Sequence, residues 1–178
     1  GFKIRKPDYS NRLFNKDLGG GAILDLGCYP LSFSTFINSI THNVQLKDIS
    51  LERVKKEYCE SGVDIFSSMN MNFNGKFNSN ITCSFKDNFN QSTKINFKNG
   101  SILINESWVP NKKMTMQITN RDNITTMNFE NNENICSYQI NNISNQLLNQ
   151  KIKPIFPSLN IEEIETNSSL LDRWINFE

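Results

Sequence analysis

The chain has 178 residues, 37% hydrophobic and 21% charged, with a formal net charge of +1. That length suits one domain, residues 1–178, with its own core, and that balance excludes both a disordered polyelectrolyte and a basic nucleic-acid binder. No apolar run reaches the roughly 20 residues of a membrane span and no charged-then-apolar leader opens the chain, so a soluble protein without membrane contact is expected.

In chain order, the first element is a helix. From Ala22 to Ile40 the apolar positions Ala22, Leu26, Pro30, Phe33, Ile37 and Ile40 recur at steps of three and four, which predicts one buried stripe. Pro30 lacks the donor that an interior helical position needs, so the helix starts late or kinks near Leu26-Gly27. His42 follows it as a helix-terminus residue.

The period then becomes two. "VDIFSSMNMNF" and "KFNSNITCSF" alternate apolar and polar residues, and a three-residue loop from Asn74 to Lys76 pairs Phe73 with Phe77 and Met69 with Ile81. In the next hairpin an Asn99-Gly100 turn places Phe97 opposite Ile102 and Ile95 opposite Ile104. A third, joined around Arg121-Asp122, matches Met116 to Met127 and Met114 to Phe129. Six sequential strands predict a large antiparallel meander. A short helical segment around Ile140, Ile143 and Leu147 and a loop with Pro154 and Pro157 follow. A final helix carries Ile161, Ile164, Ser168, Leu171 and Ile175 on one face, with Asn160 and Glu163 spaced as a capping box. The class is α+β: a large, mostly antiparallel, open-faced sheet with helices on one face and the other face free for association into a homo-oligomer.

Cys28, Cys59, Cys83 and Cys136 are scattered without a C-x-x-C pair, and His42 is the single histidine. No metal site is indicated; buried free thiols in a reducing, cytoplasmic compartment are expected. Gly1 in place of methionine suggests either a piece of a longer chain or a residue left by cloning.

Chemistry concentrates in "LGGGAILDLGCYPLSF". Three glycines before an apolar helix are costly unless the backbone turns tightly or something packs close against it. Asp25 and Tyr29, four residues apart, share a helical face with Ser32 one turn on. A tyrosine hydroxyl can exchange a proton in general acid-base work. An aspartate near a helix start also reads as a cap, and a tyrosine as a core residue with its hydroxyl satisfied.

The segment closely resembles the one that opens the C-terminal domain of the glucose-fructose oxidoreductase, inositol dehydrogenase and rhizopine catabolism (Gfo/Idh/MocA) family: Gly19, Gly20, Gly21, Asp25, Gly27 and Tyr29 all match. Tyr29-Pro30 is similar to the branch with dihydrodiol and xylose dehydrogenases, and Asn11-Arg12 stands where that branch commonly has an arginine. The resemblance implies an NAD- or NADP-dependent oxidoreductase acting on the CH-OH group of a sugar or related polyol. In it Tyr29 and Asp25 are the catalytic residues, Arg12 and Asn11 contact substrate, and Gly20 and Gly21 border the cofactor. It also implies the family's open-faced sheet domain.

Two departures stand out. Ser32 occupies a position where histidine-type members often carry an aspartate. The family's N-terminal Rossmann domain, with its G-x-G-x-x-G turn, and the catalytic lysine of its Glu-Lys-Pro motif are not in this sequence; Lys6-Pro7 lacks the glutamate and is not assigned that role. The chain therefore reads as the substrate-binding and oligomerisation half of an enzyme, inactive without the other. The alternative is a non-catalytic, sheet-mediated dimerisation module. A carbohydrate-binding module is a third reading, weakened because Trp108 and Trp174 are far apart in the sequence.

Overall fold

The computed structural model describes residues 1–109, 112–151, 154, 156 and 158–178; Pro157, expected in a loop, lies outside them. In chain order the described residues form helix α1 (Cys28–Thr41), strands β1 (Ile49–Tyr58), β2 (Asp64–Phe73), β3 (Asn78–Ser84), β4 (Thr93–Phe97), β5 (Gly100–Ile104), β6 (Lys113–Asn120) and β7 (Asn123–Glu130), and helices α2 (Ile135–Leu148) and α3 (Ile161–Ile175). The class is α+β and every pairing is antiparallel, as the patterns predict.

Hydrogen bonding divides the strands into two sheets, ordered β1-β2-β3 and β4-β5-β6-β7, where the sequence suggested one meander. The extra strand, β1, escaped the alternation because five of the six residues from Glu52 to Glu57 are charged. It lies at a sheet edge, where charge deters further pairing. Two compact units result: Gly1–Phe89 with Asn160–Glu178, and Asn90–Leu159.

In the first unit α1 and α3 pack together on β1–β3. The core joins Ile49 and Leu51 of β1, Met69, Met71 and Phe73 of β2, Ile81 and Cys83 of β3, Leu31 of α1, and Leu170 and Trp174 of α3. The opposite sheet face is polar: the Asn70 amide donates to Asn80 and the Asn72 amide to Glu52. The β2–β3 loop is the expected one, with Met69 opposite Ile81 and the Phe73 and Phe77 rings stacked 4.2 Å apart.

Both helices bury a face one residue away from the predicted apolar stripe. Around α1 the buried residues are Gly27, Leu31, Ser34 and Asn38, whereas Ile40 is exposed; on α3 they are Asn167, Leu170 and Trp174, whereas Ile161 and Ile164 are exposed. Each buried polar side chain has partners. Ser34 Oγ donates to the Pro30 carbonyl and lies 2.7 Å from Ser79 Oγ, and Asn38 bonds both the N–H and the carbonyl of Val44. Asn167 accepts from Thr35 Oγ1 and donates to Ser32 Oγ. Satisfied in this way, small polar residues let the helices approach closely at little cost. The Asn160–Glu163 capping box forms as expected.

Gly27 shows how close that approach is. A Cβ there would lie 2.7 Å from Trp174 Cζ3 and 3.4 Å from Cys83 Sγ. The ring cannot retreat: it is fully buried, and its Nε1 donates to Ser67 Oγ at 2.9 Å. Gly27→Ala is expected to lower stability by about 1–3 kcal/mol through overpacking, read from the urea midpoint; an unchanged midpoint would show that the contact yields.

In the second unit, the β6–β7 hairpin has the predicted register, Met116 opposite Met127 and Met114 opposite Phe129. The β4–β5 register is corrected by two residues: Phe97 pairs with Gly100 and Ile95 with Ile102, so the turn is Lys98-Asn99. Gly100 is needed inside the strand, because any Cβ there would overlap the Thr119 carbonyl of β6. Ile95, Ile102, Ile104, Met114, Met116, Ile118, Met127 and Phe129 occupy one face of this sheet by register. The expected helical segment is α2, with Ile140, Ile143 and Leu147 exposed.

Candidate functional site

The residues singled out in the sequence gather just before and within the first turn of α1. Asn15 closes the preceding loop: its side chain accepts from Asp17 N–H, and its carbonyl accepts from the N–H groups of Leu18 and Gly20. The chain then turns through Gly21 at φ 122° into a π-helical turn, Ile23–Gly27, which leads into α1. This irregular turn is the expected kink. Pro30 has no N–H to offer the carbonyl one turn back, and the wider turn absorbs the mismatch.

Asp25 projects from that turn and Tyr29 from the first turn of α1. Arg12 Nη2 donates to Asp25 Oδ1 at 2.6 Å, so the structure joins two residues that the sequence could connect only through a family pattern. The pair is too exposed to add much stability, and Asp25 is not a simple helix cap. The Arg12 side chain is 57% exposed, leaving further guanidinium N–H groups for another oxygen. Tyr29 is 58% exposed, and its hydroxyl bonds to none of the described residues, so it is no core tyrosine.

Asn11 plays a local part, its side chain accepting from Leu13 N–H to cap the 3-10 turn that carries Arg12. Ser32 does not join Asp25 and Tyr29; its hydroxyl accepts from Asn167 on α3. Trp174, one of the two tryptophans on which a carbohydrate-binding module would depend, is buried. Cys28 lies beside the site, but burial and the Asp25 carboxylate raise its pKa and keep the thiol protonated. All four cysteines are free, with Cys83 buried, Cys28 and Cys59 half-buried and Cys136 exposed, contrary to the expectation that all are buried. Among the described residues no group of three His, Cys, Asp or Glu could hold a metal, and no helix is long and apolar enough to cross a membrane.

The glycines do not form a phosphate cradle. Gly20 N–H donates to the Asn15 carbonyl and Gly21 N–H to the Leu13 carbonyl, so both donors are committed. The Gly20 Cα faces the carbonyl oxygens of Arg12, Leu13 and Asn15, an arrangement that repels an anion. By itself the chain is therefore expected to bind NAD or NADP negligibly; tight, saturable heat in a calorimetric titration would overturn this.

The sequence profile of the GFO/IDH/MocA C-terminal domain matches residues 2–103. The chain belongs to this family. No curated protein matches its sequence significantly. Among solved structures it resembles KijD10, a 3-ketoreductase from Actinomadura kijaniata in complex with NADP and TDP-benzene: TM-score 0.77, 15% identity, 97% of this chain and 50% of that one. It also resembles an aldose-aldose oxidoreductase from Caulobacter crescentus, with TM-score 0.76, 16% identity, and coverage of 97% and 49%. These likenesses establish the shared fold, and this GFO/IDH/MocA domain spans about half the length of the proteins it matches.

One residue of the domain's site region carried no sequence signal. Asp64, in the polar phase of the β2 alternation, was expected to face outward, yet it is buried. A bulge is responsible: Glu57 pairs with Phe66 and Tyr58 with Asp64, so Ile65 has no partner on β1 and Asp64 turns inward. Burial raises its pKa despite the Ile23 N–H bond and the nearby Ala22 N–H and Lys56, while its own charge helps raise that of Cys83. The folded state therefore holds the Asp64 proton more tightly than the unfolded state. This contribution to stability is complete below the ordinary carboxyl value of 3.8 and is lost as pH rises through the higher folded value. Asp64→Asn is expected to flatten that decline, measured by urea midpoints from pH 4 to 7; parallel curves for parent and variant would refute it.

Proposed function

We propose that this chain is the substrate-side half of an NAD(P)-dependent oxidoreductase acting on a CH-OH or keto group of a sugar or related polyol. The observation that carries the reading is the Arg12–Asp25 pair set one helical turn from the exposed Tyr29 hydroxyl. In the reducing direction Tyr29 O–H donates its proton to the substrate oxygen as the carbonyl becomes a hydroxyl; oxidation reverses the transfer. Arg12, held by Asp25, directs its remaining N–H groups to a neighbouring substrate oxygen, and Asn11 fixes the turn that presents it. When bound, a nicotinamide dinucleotide supplies or accepts the hydride. Its phosphates belong to an N-terminal Rossmann half of the intact enzyme, and Gly20 and Gly21 shape the loop beside it. NADP in KijD10 and the aldose chemistry of the second relative support this assignment.

Self-association belongs to the same proposal. The apolar face of the four-stranded sheet, where Met127 and Phe129 remain over 40% exposed, suits a two-fold contact between copies. The test of function is nicotinamide absorbance at 340 nm with the intact protein, either cofactor, and a panel of aldoses, ketoses and polyols. Turnover of at least one is expected; a cofactor-binding protein that turns over none overturns the reading and favours the non-catalytic dimerisation module.

A further inference from the structure

Asp64 is a buried carboxylate to which the reaction assigns no task. Its Oδ2 accepts the Ile23 N–H at 2.8 Å, and its Oδ1 lies where any Cβ on Gly21 would have to go. Ile23 opens the π-helical turn two residues before Asp25, and its N–H is one of those left without a partner at the start of a helical run. Local capping would satisfy that donor from the preceding loop. Here the acceptor comes from β2, 41 residues away in sequence, so the rotational phase of the turn is tied to the sheet. Asp25 and Tyr29 inherit that phase.

We propose that Asp64 is a positioning residue of the site: by holding the Ile23 N–H and closing on Gly21, it sets the helical run from which Asp25 meets Arg12 and Tyr29 faces outward. Its effect on turnover rests on the oxidoreductase reading above; its hold on the segment does not. Asp64 is 8% exposed, which keeps it from direct contact with a substrate at Tyr29. The bulge at Ile65 and the glycine at position 21 serve the same contact, one turning the carboxylate inward and the other making room for it.

The experiment compares Asp64→Ala and Asp64→Asn in the intact protein by steady-state kinetics, dinucleotide affinity, and amide hydrogen exchange over residues 21–27. For Asp64→Ala the expected result is faster exchange in that segment and a fall in kcat of about 10- to 100-fold, with dinucleotide Kd unchanged. Asp64→Asn, which keeps an acceptor in place, is expected to restore most of both. Should Asp64→Ala not fold, Asp64→Ser, too short to reach Ile23, is read in the same way. Unchanged exchange over residues 21–27 overturns the proposal, as does faster exchange with kcat intact. If the parent protein turns over no sugar, the oxidoreductase reading alone fails, and exchange then decides whether Asp64 holds the segment.

Discussion

Tyr29→Phe is expected to lower turnover of the intact enzyme by about 10²- to 10⁴-fold, the usual contribution of a general acid or base. The substitution keeps the ring and removes the one oxygen that can exchange a proton with substrate. The structure makes this a clean test, because the parent hydroxyl bonds to none of the described residues and the side chain is 58% exposed. Folding stability should therefore stay within about 0.5 kcal/mol of the parent, and cofactor affinity should barely change. A fall in kcat with an unchanged urea midpoint assigns the loss to chemistry. Near-normal turnover at a pH where the parent is active removes Tyr29 from the mechanism.

Trp174→Ala is expected to cost about 3–5 kcal/mol, as large aromatic truncations in closed cores do. Trp174 is fully buried, its ring closes on Gly27, and its Nε1 donates to Ser67 Oγ, which in turn donates to the Lys55 carbonyl. That carbonyl adjoins the register shift of β1 between Glu52 and Lys55, where Arg53 takes φ 53°. Motif turn, indole, hydroxyl and bulged strand form one chain of contacts, with Trp174 of α3 linking Gly27 to the sheet. Ser67→Ala, which leaves the buried indole N–H without its acceptor, should cost a smaller 1–3 kcal/mol or so. Urea denaturation of both variants checks the ranking; a Trp174→Ala midpoint close to that of the parent would mean that the cavity refills and that α3 does not brace the motif helix.

The family resemblance and the geometry bear on different parts of the site. Gly27, matched as part of a pattern, is required by the Trp174 ring, and Gly21 by the Asp64 carboxylate. The partner sought for the glycine run is thus the chain's own β2 and its own loop. Arg12 and Asp25, 13 positions apart, were joined in the sequence only by the pattern, and in the structure they share a hydrogen bond of 2.6 Å.

Local interactions were legible in the sequence because their signals lie within a few residues of one another. The capping box at Asn160, the three-residue β2–β3 loop, the Met116–Met127 register and the break ahead of Pro30 all follow from turn chemistry, period and the missing proline donor. Contacts between distant elements decided the rest. The buried faces of α1 and α3 were misplaced by one residue because Ser34, Asn38 and Asn167 are polar, and only their partners in space make them fit for burial. That one-residue rotation also leaves Tyr29 in solvent. The β4–β5 register was set by the approach of β6 to Gly100, and Asp64 was turned inward by a bulge, which interrupts the period of two without any mark in composition. Periodicity reports how often a chain presents apolar surface. Which surface becomes the interior depends on hydrogen-bond partners and close contacts that exist only once the elements have packed.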